Sequence, residues 1–159
     1  MTPRFVADGN VGKLATWLRI LGYDALFLND APDDELLRRA REEGRILLTK
    51  DRRLVERREV RRQTVRALWV RSDRWREQLR QVARELDLRF GTDLFTRCVR
   101  CNTPLVELEK GAASGLVPPY VYQTQASFSR CPQCERVYWQ GTHYARARAH
   151  LQDIWEMQL

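Results

Sequence analysis

The stretch Ile46-Leu47-Leu48-Thr49-Lys50-Asp51-Arg52-Arg53 decides the fold of this 159-residue chain. Four residues, Ile46–Thr49, form an apolar run short enough for a strand and apolar enough to be buried on both faces. The run ends on Thr-Lys-Asp and passes straight into a basic segment that reads as a helix over about Arg52–Glu59. A buried strand followed at once by a helix is the repeating unit of a parallel α/β domain.

Working outward, the same alternation recurs on both sides. Upstream, Leu36, Leu37 and Ala40 mark a helix from about Asp33 to Glu43, with Gly44 as its left-handed stop. Ala25–Leu28 reads as a strand. Leu14, Trp17, Leu18 and Leu21 fall at i, i+3, i+4 and i+7, the stripe of an amphipathic helix ended by Gly22. Arg4–Ala7 reads as the first strand. Downstream, Val65–Val70 is a fourth strand, and Leu79, Val82, Ala83 and Leu86 mark a helix with Ser72 or Asp73 as its cap. The pattern βαβαβαβα predicts a three-layer parallel sheet over residues 1–94. Right-handed crossovers put the C-terminal ends of its strands on one edge. In a flavodoxin-like order the first and third strands flank the switch point where ligands bind.

From about Thr96 the character changes to Gly, Pro, Cys and aromatics, with a last helix over Tyr144–Met157. Residues 95–159 thus read as a second, smaller unit. All four cysteines lie there, as Cys98-x-x-Cys101 and Cys131-x-x-Cys134. Two such knuckles complete a tetrahedral four-thiolate site, which predicts structural zinc: no coordination position is left open for substrate. Two disulfides or a redox pair are the alternative, disfavoured in a reducing compartment. No run approaches 18 consecutive apolar residues, and Met1–Asn10 carries no basic start followed by an apolar segment. A spanning helix and a secretory signal are therefore not expected, and the chain reads as cytoplasmic with no membrane partner.

Charge narrows the function. Lys+Arg is 28 against 21 Asp+Glu, a net +7, and only Lys13, Lys50 and Lys110 are lysines. Residues 50–66 hold eight basic and three acidic side chains, net +5. Such a run is often a solvated face, but it also suits phosphate. It begins beside Asp51, which ends the third strand as Asp8 ends the first. Asp33 and Asp34 open the helix after the second. Acids gathered on one strand-end edge repel unless a cation offsets them, and oxygen ligands suit magnesium or manganese. The chemistry would be metal-assisted attack of water on a phosphodiester, with Lys13, Lys50, Arg52 and Arg53 holding the polyanion. Each acid has a plainer reading beside this one: Asp33 or Asp34 as a helix cap, Asp8 as a turn starter, Asp51 as cap of the basic helix, and Asp73 as a cap rather than a fourth ligand.

At these residues the chain resembles the Mut-seven C-terminal ribonuclease domain family. The likeness runs through Phe5-Val6-Ala7-Asp8-Gly9, Gly12-Lys13-Leu14-Ala15, Trp17-Leu18-Arg19, Leu21-Gly22-Tyr23-Asp24, Asp33-Asp34-Glu35-Leu36-Leu37 and Arg45–Arg52. It continues through Arg97-Cys98-x-x-Cys101-Asn102, Val117-Pro118, Phe128, Cys131-x-x-Cys134 and Val137-Tyr138-Trp139-x-Gly141-Thr142-His143. The resemblance implies a PIN-like nuclease fold joined to a zinc ribbon, cutting single-stranded RNA with magnesium or manganese. Asp8, Asp33 and Asp51 match its acidic positions and Thr49 its hydroxyl residue. PIN-type sites often carry a further acid on an early helix, and Val11–Leu21 has none. That favours one bound ion over two, unless Asp34, Glu35 or Asp73 compensates.

Other residues keep two readings. His143 reads as a cap or packing residue of the last helix, or as a site residue. Phe128, Tyr138 and Trp139 read as the ribbon's small core, or as stacking surfaces for bases. Two further functional classes compete with the nuclease: a non-catalytic zinc-ribbon module that binds RNA, and a receiver-like phosphoacceptor domain, which would need neither the knuckles nor the arginine run.

Overall fold

The computed structural model describes residues 2–91 and 93–157. Strand β1 (Phe5–Asp8) leads through a 3-10 turn (Gly9–Val11) into helix α1 (Gly12–Ile20). There follow β2 (Ala25–Leu28), α2 (Asp33–Glu43), β3 (Ile46–Thr49), α3 (Arg52–Val55), α4 (Arg58–Arg61), β4 (Ala67–Trp69) and α5 (Trp75–Glu85). The strands form one parallel sheet in the order β2-β1-β3-β4. β1 and β3 are neighbours, as the flavodoxin-like order requires, with Ala7 opposite Leu48.

Alternation along the strands fills two cores. Phe5, Ala7, Ile46 and Leu48 pack with Leu14, Leu18, Leu79 and Val82 of α1 and α5. Val6 and Leu47 point the other way, onto Leu36, Leu37 and Ala40 of α2 and Leu54 of α3. Because successive strand residues face opposite sides, each strand serves both layers. Gly12 opens α1 beneath Phe27; a Cβ there would lie 2.9 Å from the ring.

The basic helix predicted over 52–59 is two short helices instead. Arg57 takes an extended conformation between them, and Leu54 is the sole buried residue of the pair. With so little apolar surface, packing does not hold a longer helix together. The predicted cap of α5 also differs. Its N-cap residue is Arg74; Ser72 instead accepts from the Arg74 amide, and Asp73 pairs with Lys50.

The cysteine-bearing part adds β5 (Val106–Leu108), α6 (Lys110–Ala113), α7 (Pro119–Thr124), β6 (Phe128–Arg130), β7 (Val137–Tyr138) and α8 (Thr142–Glu156). β5, β6 and β7 form a small antiparallel sheet. α6 and α7, four and six residues long, carry no periodicity that a sequence reading detects. Ala113 of α6, Val117 between the two helices and Val121 of α7 bury Phe128 in a third, minor core. Helix α8 returns to the parallel sheet: Ala147, Leu151 and Ile154 lie in the same core as α1 and α5.

Candidate functional site

Asp8 is the last residue of β1 and Thr49 the last of β3, so the parallel register sets them side by side at the C-terminal edge. Thr49 is fully buried. Its hydroxyl donates to Asp8 Oδ2 at 2.8 Å and accepts from the Asp51 amide at 3.0 Å. Asp8 also accepts from the Gly9 amide at 2.7 Å and from Asn10 Nδ2 at 3.3 Å. Three donors thus fix one carboxylate. Asn10 Oδ1 in turn accepts from the Lys50 amide at 3.2 Å, closing a ring of contacts between the loops after β1 and β3.

The plainer readings of these acids are realised in part. Asp8 caps the 3-10 turn, and Asp51 caps α3 by accepting from the Arg53 amide at 2.9 Å. Asp33 and Asp34 do not cap α2, whose N-cap residue is Pro32. Both are exposed in its first turn, and Asp34 pairs with Arg57 at 2.7 Å. The hydrogen-bonded edge therefore joins Asp8, Asn10, Thr49 and Asp51, without Asp33.

The basic residues stand around it. Lys50 pairs with Asp73 and presents its carbonyl to the Trp69 indole. Arg52 lies over the Trp69 ring, 5.5 Å from its centroid, and pairs with Glu56. Arg53 is exposed. Lys13 sits 5.5 Å from the Trp75 centroid in a cleft of about 580 Å³ that also includes Asn10, Asp73, Arg74 and Arg76. Sequence reasoning missed Asn10 and Trp75. Asn10 had a faint signal in the Asp-Gly-Asn turn; Trp75 had none, because a tryptophan at the start of a helix reads as packing.

The four cysteines converge. Their sulfur atoms all lie within 4.8 Å of one another, and Cys98 Sγ to Cys134 Sγ is 3.7 Å. Zinc–sulfur bonds of about 2.3 Å arranged tetrahedrally give sulfur–sulfur edges of about 3.8 Å. The two knuckles repeat one geometry. The Asn102 amide donates to Cys98 O and the Glu135 amide to Cys131 O, each from a residue with φ +66°. Cys98 N and Cys131 N return bonds to the carbonyls of Thr103 and Arg136. Burial opposes ionisation of Cys98, but hydrogen bonds from Tyr138 and the knuckle amides prevail and lower it to about 6. Burial and its thiol neighbours push Cys101 up to about 12. Several thiols crowded together cannot all ionise without a cation, and a metal such as zinc fits this set. Among the described residues it is the only group of three or more metal-capable side chains.

A polar network seats the first knuckle on the parallel sheet. Arg19, buried in α1, donates to Ala25 O at 2.8 Å and to Val99 O at 2.9 Å. Asn102 accepts from the Ala25 amide and donates to Asp24 at 2.7 Å. Burial disfavours ionised Asp24, but Arg45 and Asn102 outweigh that and hold its carboxyl at about 2. Tyr138 donates to Cys98 Sγ at 3.2 Å and accepts from the Val99 amide, which makes it a support of the four-cysteine cluster. His143 does not cap α8, whose N-cap residue is Gly141; it is exposed and lines a cleft beside the ribbon.

No curated protein and no solved structure matches this chain. A family model does, across nearly its whole length and through both the acidic edge and the cysteine knuckles. The chain belongs to the Mut7-C RNAse domain family, whose model matches residues 3–151.

Proposed function

We propose that the protein is a metal-dependent ribonuclease that hydrolyses phosphodiester bonds of single-stranded RNA at the edge formed by Asp8, Thr49 and Asp51. The family's name points to a nuclease-type function with RNA as substrate. The observation that supports the reading is the Thr49 hydroxyl, buried between Asp8 Oδ2 and the Asp51 amide, which ties the acid that ends β1 to the backbone of the acid two residues past β3. Magnesium or manganese suits an oxygen-only donor set supplying one or two carboxylates, with waters and substrate phosphate completing the shell. Asp8 and Asp51 would hold the ion directly, and exposed Asp33 would contribute through water. The bound ion would activate water and offset charge developing on the phosphate.

The chain's own residues do the rest. Asp8 is oriented by three donors before any substrate arrives, so the site needs little reorganisation. Lys13, Lys50, Arg52 and Arg53 ring the edge with positive charge and draw in the RNA backbone. The four cysteines hold zinc as a structural staple for a ribbon whose own core is small. Asp51→Asn keeps the side chain's shape and its cap while removing the charge. Wild-type protein is expected to cut a single-stranded RNA with manganese, and Asp51→Asn to be slower by at least about 100-fold; equal cleavage by both refutes the mechanism.

One observation favours a second reading, an RNA-binding module without catalysis: Asp8 and Asp51 each already serve as a cap. In that case RNA binding persists in chelator and no cleavage accompanies it.

A further inference from the structure

A second cleft, of about 520 Å³, lies between α1, the end of the ribbon and α8. Its walls are aromatic: Trp17, Phe95, Tyr138, Trp139 and Tyr144 line it, with the Phe95 and Tyr144 rings 5.7 Å apart. Its basic groups are Arg136, Arg146, His143 and His150, and among the described residues no carboxylate lines it. In a chain with 21 acidic residues that one-sidedness selects the occupant's charge. Flat aromatic walls with arginines at the rim match an aromatic anion, and an RNA nucleotide has both parts: a base to stack and a phosphate to pair.

Two features build this cleft. Gly141 lets the Trp139 indole fold against the backbone; a Cβ at 141 would lie 2.7 Å from Trp139 Nε1. The Trp17 ring stacks on Trp75 at 4.3 Å and 4°, and His150 stands edge-on to both at 5.9 and 6.0 Å. Trp75 lines the Lys13 cleft beside Asn10, so one pair of stacked indoles separates the two clefts. A strand leaving the acidic edge over Lys13 and Trp75 therefore meets the second cleft next. We propose that this cleft is a nucleotide-binding site that takes a base of single-stranded RNA away from the cut phosphate and fixes the strand's register. Trp139 supplies the stacking face, and Arg136 and Arg146 hold the flanking phosphates. The inference rests on RNA being the substrate, but not on catalysis.

The test is fluorescence anisotropy of a fluorescein-labelled 12-nucleotide single-stranded RNA with the full chain, in magnesium-free buffer so that nothing is cut. Arg136→Ala/Arg146→Ala alters exposed side chains only, and Trp139→Leu keeps apolar bulk while removing the aromatic face; retained zinc content and circular dichroism show that each is folded. The double variant is expected to bind about tenfold more weakly, with a salt slope shallower by about 1.4 for two lost phosphate contacts. Trp139→Leu is expected to lose at least about fivefold, the lower end of one stacked base. Arg84→Ala, on α5 outside the cleft, is expected to bind as wild type does. Binding by both cleft variants equal to wild type overturns the proposal, as does a wild type that binds no RNA. So does a concentration-dependent dimer, seen by sedimentation, that Trp139→Leu abolishes, since the occupant would then be a second copy of the chain. Manganese-dependent cleavage is scored separately. Cleavage with no cleft effect refutes only the cleft, and cleft-dependent binding without cleavage refutes only the nuclease.

Discussion

Thr49 does two jobs with one hydroxyl: it donates a hydrogen bond to Asp8 and accepts one from the Asp51 amide. Thr49→Ser keeps both bonds, whereas Thr49→Val keeps shape and loses both. Valine there is expected to lower manganese-dependent RNA cleavage about tenfold or more through misplacement of Asp8, with serine near wild type. Asp24 works at the other end of β1's neighbourhood. Its folded carboxyl titrates at about 2, below the ordinary 3.8. The lowered value means that its contribution to stability is complete above about pH 4 and disappears as pH falls through 2. Asp24→Asn leaves the buried Arg45 guanidinium with Glu43 as its remaining ion-pair partner. It is expected to lose about 2 kcal/mol in urea unfolding at neutral pH, the linkage value of the lowered carboxyl, with the gap to wild type narrowing below pH 4. The shared edge of Asp8 and Asp51 was legible in the sequence because the ends of neighbouring parallel strands lie together, and Thr49 was singled out by the family resemblance. The contacts of Asn10, Arg19 and Asn102 were not, because most of their partners lie 40 to 81 residues away and many are backbone groups, which no local pattern marks.

Elements show the same division. α2 runs over Asp33–Glu43 as read, because Gly44, at φ +64°, ends it unambiguously. β3 likewise matches, being apolar and punctuated. The basic helix split, and α6 and α7 went unseen, because segments of four to six residues bury too little to impose a period. The core of the cysteine-bearing part is small, with four buried residues, so a metal at the four cysteines would add much of its stability. Removing zinc with a strong chelator is expected to expose the amides of β5–β7 in hydrogen exchange first, while β1 and β3 stay protected. α8 belongs energetically with the parallel sheet. Leu151, fully buried against α1 and α5, is expected to lose about 2–5 kcal/mol on Leu151→Ala, read as a lower urea midpoint.

At the scale of the whole molecule, the parallel sheet carries the acidic edge, and the cysteine-bearing part and α8 carry the second, aromatic cleft. Among the described residues no helix is long and apolar enough to cross a membrane. The Arg19, Asp24 and Asn102 contacts join the two halves, so the edge and the second cleft keep a fixed relation. The most direct test is a crystal soaked in manganese and measured at the manganese absorption edge. The account predicts an anomalous peak coordinated by Asp8 and Asp51 oxygens, separate from a zinc peak at the four cysteines. A zinc peak alone, with Asp8 ordered and still bonded to Thr49 at saturating manganese, would contradict it.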